Sequence, residues 1–203
     1  MNKKRVDIMV DIETLGKSAD ATIIRISSIG FNIETGEYYS HLTFDKVADI
    51  EKNERPLKIE GGTLKWWLNT DKELLNDLIN GNRSENLSSE DVIREFYKWV
   101  EGIVTKVGRN NTYLWGNGIL FDNRIIQHQM ESLGLNYPIY YRNDRDVRTL
   151  LEIASLKTGA SEEDIKDKYM DKTLVAHNAL HDVKNQIALC IGCYNLIAGK
   201  GND

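Results

Sequence analysis

Two histidines and a carboxylate lie close together near the C-terminus, in HNALHD at residues 177–182. His177 and His181 are four residues apart, a spacing at which two side chains share one face of a helix and could bind zinc. The residue beside the first histidine does not support a zinc protease, because Asn178 occupies the position where such enzymes carry a glutamate base. Zinc is therefore the weaker interpretation of this cluster.

The residues that follow this cluster predict a helix with one apolar face. At about 100° per residue, His181 falls nearly opposite that face and Asp182 lies at its edge. His181 is therefore predicted to be a solvated surface residue. His177 can act together with Asp182 only if His177 lies in the loop before the helix and Asp182 lies in its first turn. Such a pair needs partner residues from elsewhere in the chain.

Further carboxylates occur where predicted strands end among apolar residues. In IMVDIETLG, Asp11 and Glu13 are two residues apart, so their side chains emerge on the same face of the strand, about 7 Å apart. Asp122 opens a helix directly after the predicted strand TYLWG. If these strands are neighbours, the final helix can bring Asp182 to the same edge of the sheet.

Four carboxylates so close together would repel one another unless divalent cations neutralise them. Hard oxygen ligands without cysteine favour Mg²⁺ or Mn²⁺. A pair of such ions about 4 Å apart suits in-line displacement at a phosphodiester. In this site His177 is placed to take a proton from the attacking water.

The elements that must position these residues can be predicted from hydrophobic periodicity. Three strands in a meander are predicted for RVDIMVDIET, TIIRISSIGFNI and GEYYSHLTF, with a turn at residues 35–36 between the second and the third. Helices are predicted for GGTLKWWL, DKELLNDLIN and SSEDVIREFYKWVEGI. The third helix begins with a capping box of Ser88 and Asp91, and the loop NGNRSENLSS precedes it. TYLWG followed by FDNRIIQHQMESLG predicts a parallel crossover onto the meander, with the helix ending at Gly134.

A short strand near PIYY, helices from Asp146 and from Ser161, and the C-terminal helix complete a predicted mixed α/β fold. The chain has 203 residues, of which 41% are hydrophobic and 28% charged, and this predicts one domain with a helical insertion at about residues 46–104. No apolar run approaches the length of a membrane span, so we expect a cytoplasmic protein.

Charge and cysteine content restrict the classes of function. The formal net charge of −5 argues against binding nucleic acid through a broadly basic surface, so phosphate binding must come from a local patch or from metal ions. The two cysteines, Cys190 and Cys193, could form half of a metal site or a redox pair. Both fall on the C-terminal helix without a second pair, which favours a packing role.

The motifs described above resemble those of a known family. Three segments resemble the three motifs of the DEDDh, or DnaQ-like, 3′-to-5′ exonucleases. They are DIE at residues 11–13, the Phe-Asp pair ending at Asp122, and His177 with Asp182 at H-x₄-D. The motifs span nearly the whole chain. The resemblance implies a ribonuclease-H-like sheet of about five strands flanked by helices.

The resemblance also implies roles for individual residues. Asp11, Glu13, Asp122 and Asp182 would bind two Mg²⁺ or Mn²⁺ ions, and His177 would act as the general base. The enzyme would release nucleoside 5′-monophosphates from the free 3′ end of a single strand. Many relatives are homodimers, so a homodimer is expected.

The expected substrate follows from the subfamily that the chain resembles. The segments WGNGILFD, RDVRTL and TLKWW are most similar to the phage DexA-type exonucleases and to related bacterial exoribonucleases. This subfamily likeness favours RNA over DNA as the substrate. An exodeoxyribonuclease of the phage DexA or proofreading type is the alternative. Proofreading subunits usually have a shorter spacing than that from Asn117 to Asp122, which makes a proofreading role less favoured.

Five further residues are candidates for substrate contacts: Thr14, Leu15, Trp66, Trp67 and Asn117. In related enzymes the segment after the first two carboxylates contacts the terminal nucleotide, with an apolar residue beside the base, although packing in a turn is an equal alternative. The two tryptophans point about 100° apart on a helix, so one of them can stack on a base, and core packing of both is the alternative. Arg148, in the mixed charge run RNDRDVR, is a candidate phosphate contact.

Two other classes of function remain open. One is a catalytically idle ribonuclease-H-like module that binds nucleic acid ends or scaffolds a partner, although idle members usually lose ligands and this sequence keeps all five catalytic candidates. The other is a zinc hydrolase built on His177 and His181.

Overall fold

The computed structural model describes residues 5–81 and 86–200. The basic first four residues and the centre of the predicted loop NGNRSENLSS therefore lie outside the described residues. The strands are β1 (Val6–Thr14), β2 (Ile23–Asn32), β3 (Glu37–Val47), β4 (Thr112–Gly116) and β5 (Asp144–Asp146). The helices are α1 (Gly61–Thr70), α2 (Lys72–Asn80), α3 (Ser89–Val107), α4 (Asp122–Ser132), α5 (Val147–Thr158), α6 (Glu162–Tyr169) and α7 (Ala179–Ala198).

The strands form one mixed sheet in the order β3-β2-β1-β4-β5. β1 pairs antiparallel with β2, and β2 pairs antiparallel with β3, which confirms the predicted meander. β4 pairs parallel with β1, as predicted for the crossover, and β5 pairs parallel with β4. The carboxyl ends of β1, β4 and β5 therefore meet at one edge of the sheet.

Alternation along β1 separates its side chains between two cores. Ile8, Val10 and Ile12 pack on the face of the sheet that α3 and α4 cover. Met9 packs on the opposite face, in the core shared with α5, α6 and α7. Because side chains two residues apart share a face, Asp11 and the residues in phase with it point toward α7.

Helices α1 and α2 have a small core of their own at the end of β1. Trp67, Leu75 and Leu78 pack there against Leu15 and Ile24. The indole Nε1 of Trp67 donates a hydrogen bond of 3.0 Å to the carbonyl of Thr14. This contact fixes α1 to the last residue of the strand that carries the first two candidate carboxylates.

The short strand predicted near PIYY exists, but it lies a few residues later, as β5 at Asp144–Asp146. Pro138 lacks the backbone N–H that a strand ladder needs. The charged residues of β5 can lie in the sheet because each has partners. The Asp144 carboxylate accepts from the side chains of Asn123 and Tyr137, and Asp146 caps α5 by accepting from the Thr149 N–H, which confirms the predicted N-cap.

Helix α7 packs across the sheet and carries both cysteines. Cys190 and Cys193 are free thiols buried in the core between α7 and the sheet, which confirms the predicted packing role. Of the helices in the described residues, none is both long and apolar enough to cross a membrane.

Candidate active site

Three of the four predicted carboxylates come together at the carboxyl end of β1. Asp11 and Glu13 project from the same face of β1, and Asp182 lies in the first turn of α7. One carboxylate oxygen from each of the three lies within 4.8 Å of the other two. The predicted placement of Asp182 in the first turn of the final helix is confirmed.

Asp122 adjoins this group without belonging to it. It is the first residue of α4 and only 4% exposed. Its carboxylate accepts a hydrogen bond from the backbone N–H of Ile12, which lies between the two β1 carboxylates, and its charge raises the pKa of Asp11. The backbone of β1 therefore holds Asp122 at the border of the cluster.

Burial raises the pKa values of all four carboxyl groups, and repulsion within the cluster raises those of Asp11 and Glu13 further. Burial, followed by the charges of Asp11 and Asp182, raises the pKa of Glu13 from 4.5 to about 9. Burial raises the pKa of Asp122 to about 7, although the Ile12 N–H lowers it. The pKa values of Asp11 and Asp182 are also raised, in each case mainly by burial. The cluster therefore disfavours negative charge unless a cation compensates it.

His177 stands in the loop before α7, as predicted, and not on the helix. Its φ of 61° is in the left-handed region, which a residue other than glycine seldom adopts. Its backbone N–H donates to the Asp182 carboxylate, and its charge lowers the pKa of that group against the effect of burial. Its ring meets the Trp66 ring edge to face, with centroids 5.1 Å apart. The loop thus places His177 in the wall of one cavity together with the carboxylates.

A cavity of about 520 Å³ contains these groups. Its walls include the four carboxylates and His177, and also Asn117, Gly118, Leu120, Phe121, Arg148, Met170 and Gln186. A second cavity, of about 260 Å³, shares Ile12, Glu13 and Phe121 with the first and extends to Trp66. The two cavities therefore meet at Glu13.

Gln186 contacts the cluster and was not predicted. Its side-chain Nε2 donates a hydrogen bond of 3.0 Å to Oδ1 of Asp11. Gln186 follows Asp182 by four residues on α7, so both side chains face β1. That spacing was the available signal in the sequence, although a glutamine in a helix seldom indicates a site by itself.

The candidate substrate contacts divide between the cavities and the core. Trp66 is 44% exposed and lines the second cavity, where Thr14 also lies. Trp67 reaches the edge of that cavity but is only 1% exposed, because its indole is buried against α2. Leu15 is 2% exposed and packs in the α1–α2 core, so in this structure its side chain is not beside the cavities. Asn117 and Arg148 both line the first cavity.

His181 lies at the surface, as predicted, but it is not fully solvated. His181 is half-buried, and its Nδ1 accepts a hydrogen bond of 3.1 Å from the Val175 N–H. It therefore stabilises the loop that leads to His177. Among the described residues, the group able to hold a metal consists of carboxylates and includes neither histidine, which argues against the zinc hydrolase.

The donor atoms of the cluster fit a hard divalent cation. Three carboxylates supply oxygen ligands, which Mg²⁺ and Mn²⁺ prefer. Within the described part of the chain, the buried Oε1 of Glu13 has no hydrogen-bond partner. A buried carboxylate oxygen without a partner is costly, and a cation in this position would satisfy it.

Comparisons with known proteins agree with this geometry. The model of the 3′-5′ exoribonuclease Rv2179c-like domain matches residues 6–193. An exodeoxyribonuclease of Enterobacteria phage T4 is 22% identical over 202 residues, covering 90% of this chain and 86% of the phage protein.

Solved structures show the same fold at low identity. Cell-death related nuclease 4 (CRN-4) superposes with a TM-score of 0.64 at 13% identity over 93% of this chain, which spans only 63% of CRN-4. The nuclease domain of 3′hExo, a DEDDh family member bound to rAMP, superposes with a TM-score of 0.59 at 14% identity, covering 92% of this chain and 90% of that domain. The predicted ribonuclease-H-like fold is confirmed. The chain belongs to the family of the 3′-5′ exoribonuclease Rv2179c-like domain and is a 3′-5′ exonuclease of nucleic acids.

Proposed function

We propose that this protein hydrolyses single-stranded RNA from the 3′ end and releases nucleoside 5′-monophosphates by a two-metal mechanism. The observation that carries this proposal is the convergence of oxygen atoms from Asp11, Glu13 and Asp182 within 4.8 Å, in one cavity with His177 and Asp122. A cavity of about 520 Å³ open to solvent can admit the end of a strand.

Asp11, Glu13 and Asp182 would hold Mg²⁺ or Mn²⁺, and Asp122 would complete the ligand set for two ions. Bound divalent ions would supply charge neutralisation at the phosphoryl oxygens and lower the pKa of the attacking water. Gln186 orients Asp11 through the hydrogen bond to Oδ1, as residues behind metal ligands commonly do.

His177 is the proposed general base. Water attacks the phosphorus of the last phosphodiester, and His177 takes the proton of the water. The bond between phosphorus and the 3′ oxygen of the preceding nucleotide breaks, and this oxygen takes a proton from solvent. The products are a nucleoside 5′-monophosphate and a strand one nucleotide shorter with a free 3′ hydroxyl. The backbone hydrogen bond from His177 to Asp182 fixes the base relative to the carboxylate cluster.

The second cavity is the proposed site of the terminal nucleoside. It adjoins Glu13 and is lined by aromatic rings, including that of Trp66, which is exposed enough to stack on a base. Thr14 and Asn117 are proposed to contact the same nucleotide from the walls of the two cavities. Leu15 and Trp67 would support this site from the core behind it.

RNA is the proposed substrate because the matching family model is that of an exoribonuclease domain. DNA is the second candidate, because the phage T4 relative is an exodeoxyribonuclease. A 2′-hydroxyl is the group by which a protein distinguishes the two.

The test uses 5′-labelled RNA and DNA of the same sequence, each with Mg²⁺, with Mn²⁺ and with a chelator. The proposal predicts a metal-dependent ladder that shortens from the 3′ end of RNA, at a higher kcat/KM than for DNA. Asp11→Asn, which keeps the shape of the side chain and removes its charge, should give no ladder.

Other results would identify the alternatives. Faster shortening of DNA would assign an exodeoxyribonuclease. Binding of both strands without shortening under any metal condition would assign a catalytically idle module and refute the enzymatic mechanism.

A homodimer, a cytoplasmic location, and a single domain with an insertion at about residues 46–104 remain predictions. Sedimentation equilibrium would decide the first of these. A mass of one chain at the concentration used for the activity assay would exclude the homodimer as the active form.

A further inference from the structure

The outermost strand of the sheet on the β5 side, next to the catalytic cavity, carries a strip rich in arginine with an exposed tyrosine. We define this strip as Tyr141, Arg142, Arg145 and Arg148, from the sequence YRNDRDVR that runs through β5 into α5. β5 is the last strand in the sheet order, so its outer side is not paired with another strand within the described residues. The arginines recur at every third residue, in a chain whose net charge is −5.

The strip is continuous with the catalytic cavity. Arg148 lines that cavity and is exposed. Between Arg145 and Arg148, Asp146 joins the cavity loop to the strip, because its carboxylate accepts from the Ile119 N–H at 3.1 Å. A nucleic-acid strand that left the cavity past Arg148 would next reach β5.

Hydrogen bonds and ring contacts hold the far end of the strip in place. Arg145 Nη1 donates to the carbonyl of Arg142 at 2.6 Å, and the Arg145 guanidinium lies 4.8 Å from the centroid of the Tyr113 ring. Arg142 Nε donates to the hydroxyl of Tyr141 at 2.9 Å. The Tyr141 ring is 70% exposed and packs edge to face on Tyr140. The strip thus presents one exposed aromatic ring, over which the Arg142 guanidinium lies 5.4 Å from the centroid, with Arg145 and Arg148 farther along the strip.

The strip contains arginines without a carboxylate at ion-pair distance, although the charge of Arg148 contributes to lowering the pKa values of Asp122 and Asp146. Among the described residues, no carboxylate forms an ion pair with Arg142, Arg145 or Arg148, whereas Arg5 and Arg25 are paired with Asp7 and Asp45. An exposed aromatic ring beside several arginines is suited to a single strand, because a base can stack on the ring and phosphates can bind the guanidinium groups.

We propose that this strip is a second binding site, which holds the nucleotides upstream of the 3′ end while the terminal nucleotide occupies the catalytic cavity. The proposal rests on the proposed exonuclease function. Tyr141, Arg142 and Arg145 would therefore increase the affinity for long strands. They would have no effect on the hydrolysis of a dinucleotide, which is too short to extend past Arg148 at the cavity.

The test compares a dinucleotide with an oligonucleotide of about 12 nucleotides, a length within the usual range of single-strand sites. Both are offered as RNA and as DNA to the wild type and to Tyr141→Ala/Arg142→Gln. Arg94→Gln on α3 is the matched control, because Arg94 is also exposed and its loss changes the net charge equally. Arg148 is left unchanged because it lines the catalytic cavity.

For the double variant we expect KM for the longer strand to rise about fivefold or more, because one stacking ring and one phosphate-binding arginine are removed. Its kinetics on the dinucleotide should equal those of the wild type. Adding Arg145→Gln removes a second phosphate contact. The plot of log affinity against log salt concentration should then become less steep by about 1.4, because each lost phosphate contact of a single strand accounts for about 0.7.

Each alternative outcome has a distinct meaning. An unchanged KM for the longer strand, with wild-type activity intact, would refute the strip while leaving the proposed function in place. No hydrolysis of either length by the wild type would refute the proposed function itself. A change in molecular mass of the double variant would show that the strip is an interface between protein copies and would overturn the nucleic-acid assignment.

Discussion

Glu13→Gln should make the metal-free protein more stable at neutral pH while removing its activity. Glu13 is only 8% exposed, and burial beside Asp11 and Asp182 raises its pKa from 4.5 to about 9. A carboxyl group with a raised pKa contributes stability that is fully present below pH 4.5 and is lost as the pH rises toward 9. Glutamine has a similar shape and does not titrate, so the variant should not lose this contribution.

The size of the effect follows from the two pKa values. Between pH 4.5 and pH 7, an interval of about 2.5 pH units, Glu13 is ionised in the unfolded chain and protonated in the folded protein. At about 1.4 kcal/mol per unit, the wild type loses about 3 kcal/mol across this interval. The free energy of unfolding of Glu13→Gln at pH 7 should therefore exceed that of the wild type by up to about 3 kcal/mol in a chelator.

Urea unfolding in EDTA, from pH 4.5 to pH 8, measures this difference directly. Glu152→Gln is the control, because Glu152 lies exposed on α5. Mg²⁺ should stabilise the wild type, by about 2.7 kcal/mol at a hundred times its Kd, and stabilise Glu13→Gln much less. Equal pH dependence of the variant and the wild type in EDTA would refute the reasoning, as would a variant that is less stable at pH 7.

Three further substitutions test separate parts of the site. His177→Ala should lower kcat by about 10²- to 10⁴-fold and keep the stabilisation by Mg²⁺ in a thermal melt, and unchanged kcat would remove its role as the base. Asp182→Asn should lose both the activity and most of the Mg²⁺ stabilisation, so full activity would exclude Asp182 as a ligand. Trp67→Phe should destabilise the protein by about 1 to 3 kcal/mol in urea, because the buried Thr14 carbonyl loses its donor, and an unchanged midpoint would show that this hydrogen bond is unimportant.

The positions of the carboxylates in the fold could be predicted because two simple periodicities determine them. Alternation along β1 places Asp11 and Glu13 on one face, and the apolar stripe of α7 places Asp182 at the edge of the helix that covers that face. The β-strand and helical patterns were strong in both segments because each buries one regular face.

The features that could not be predicted depend on contacts between distant segments. β5 is made of charged residues, and its place in the sheet depends on partners such as Asn123 and Tyr137, which lie elsewhere in the chain. His181 was assigned to solvent from its angle on the helix, but the loop before α7 folds back so that the Val175 N–H reaches it. Angle around a helix predicts which side chains face the sheet, and it carries no information about a loop that covers the other side.

The site shows why a buried acidic cluster is retained in a protein of marginal stability. Without a cation, Asp11, Glu13 and Asp182 repel one another, and Glu13 favours its protonated form at neutral pH. A divalent ion reverses this preference, because it must displace protons to bind, so metal affinity should rise with pH while the stability of the metal-free protein falls. The same burial that destabilises the empty cluster lowers the local dielectric constant, which strengthens the attraction between the carboxylates and a bound ion. The extensive cores on both faces of the sheet supply the stability that tolerates this cost, and β1 belongs to both the cores and the site.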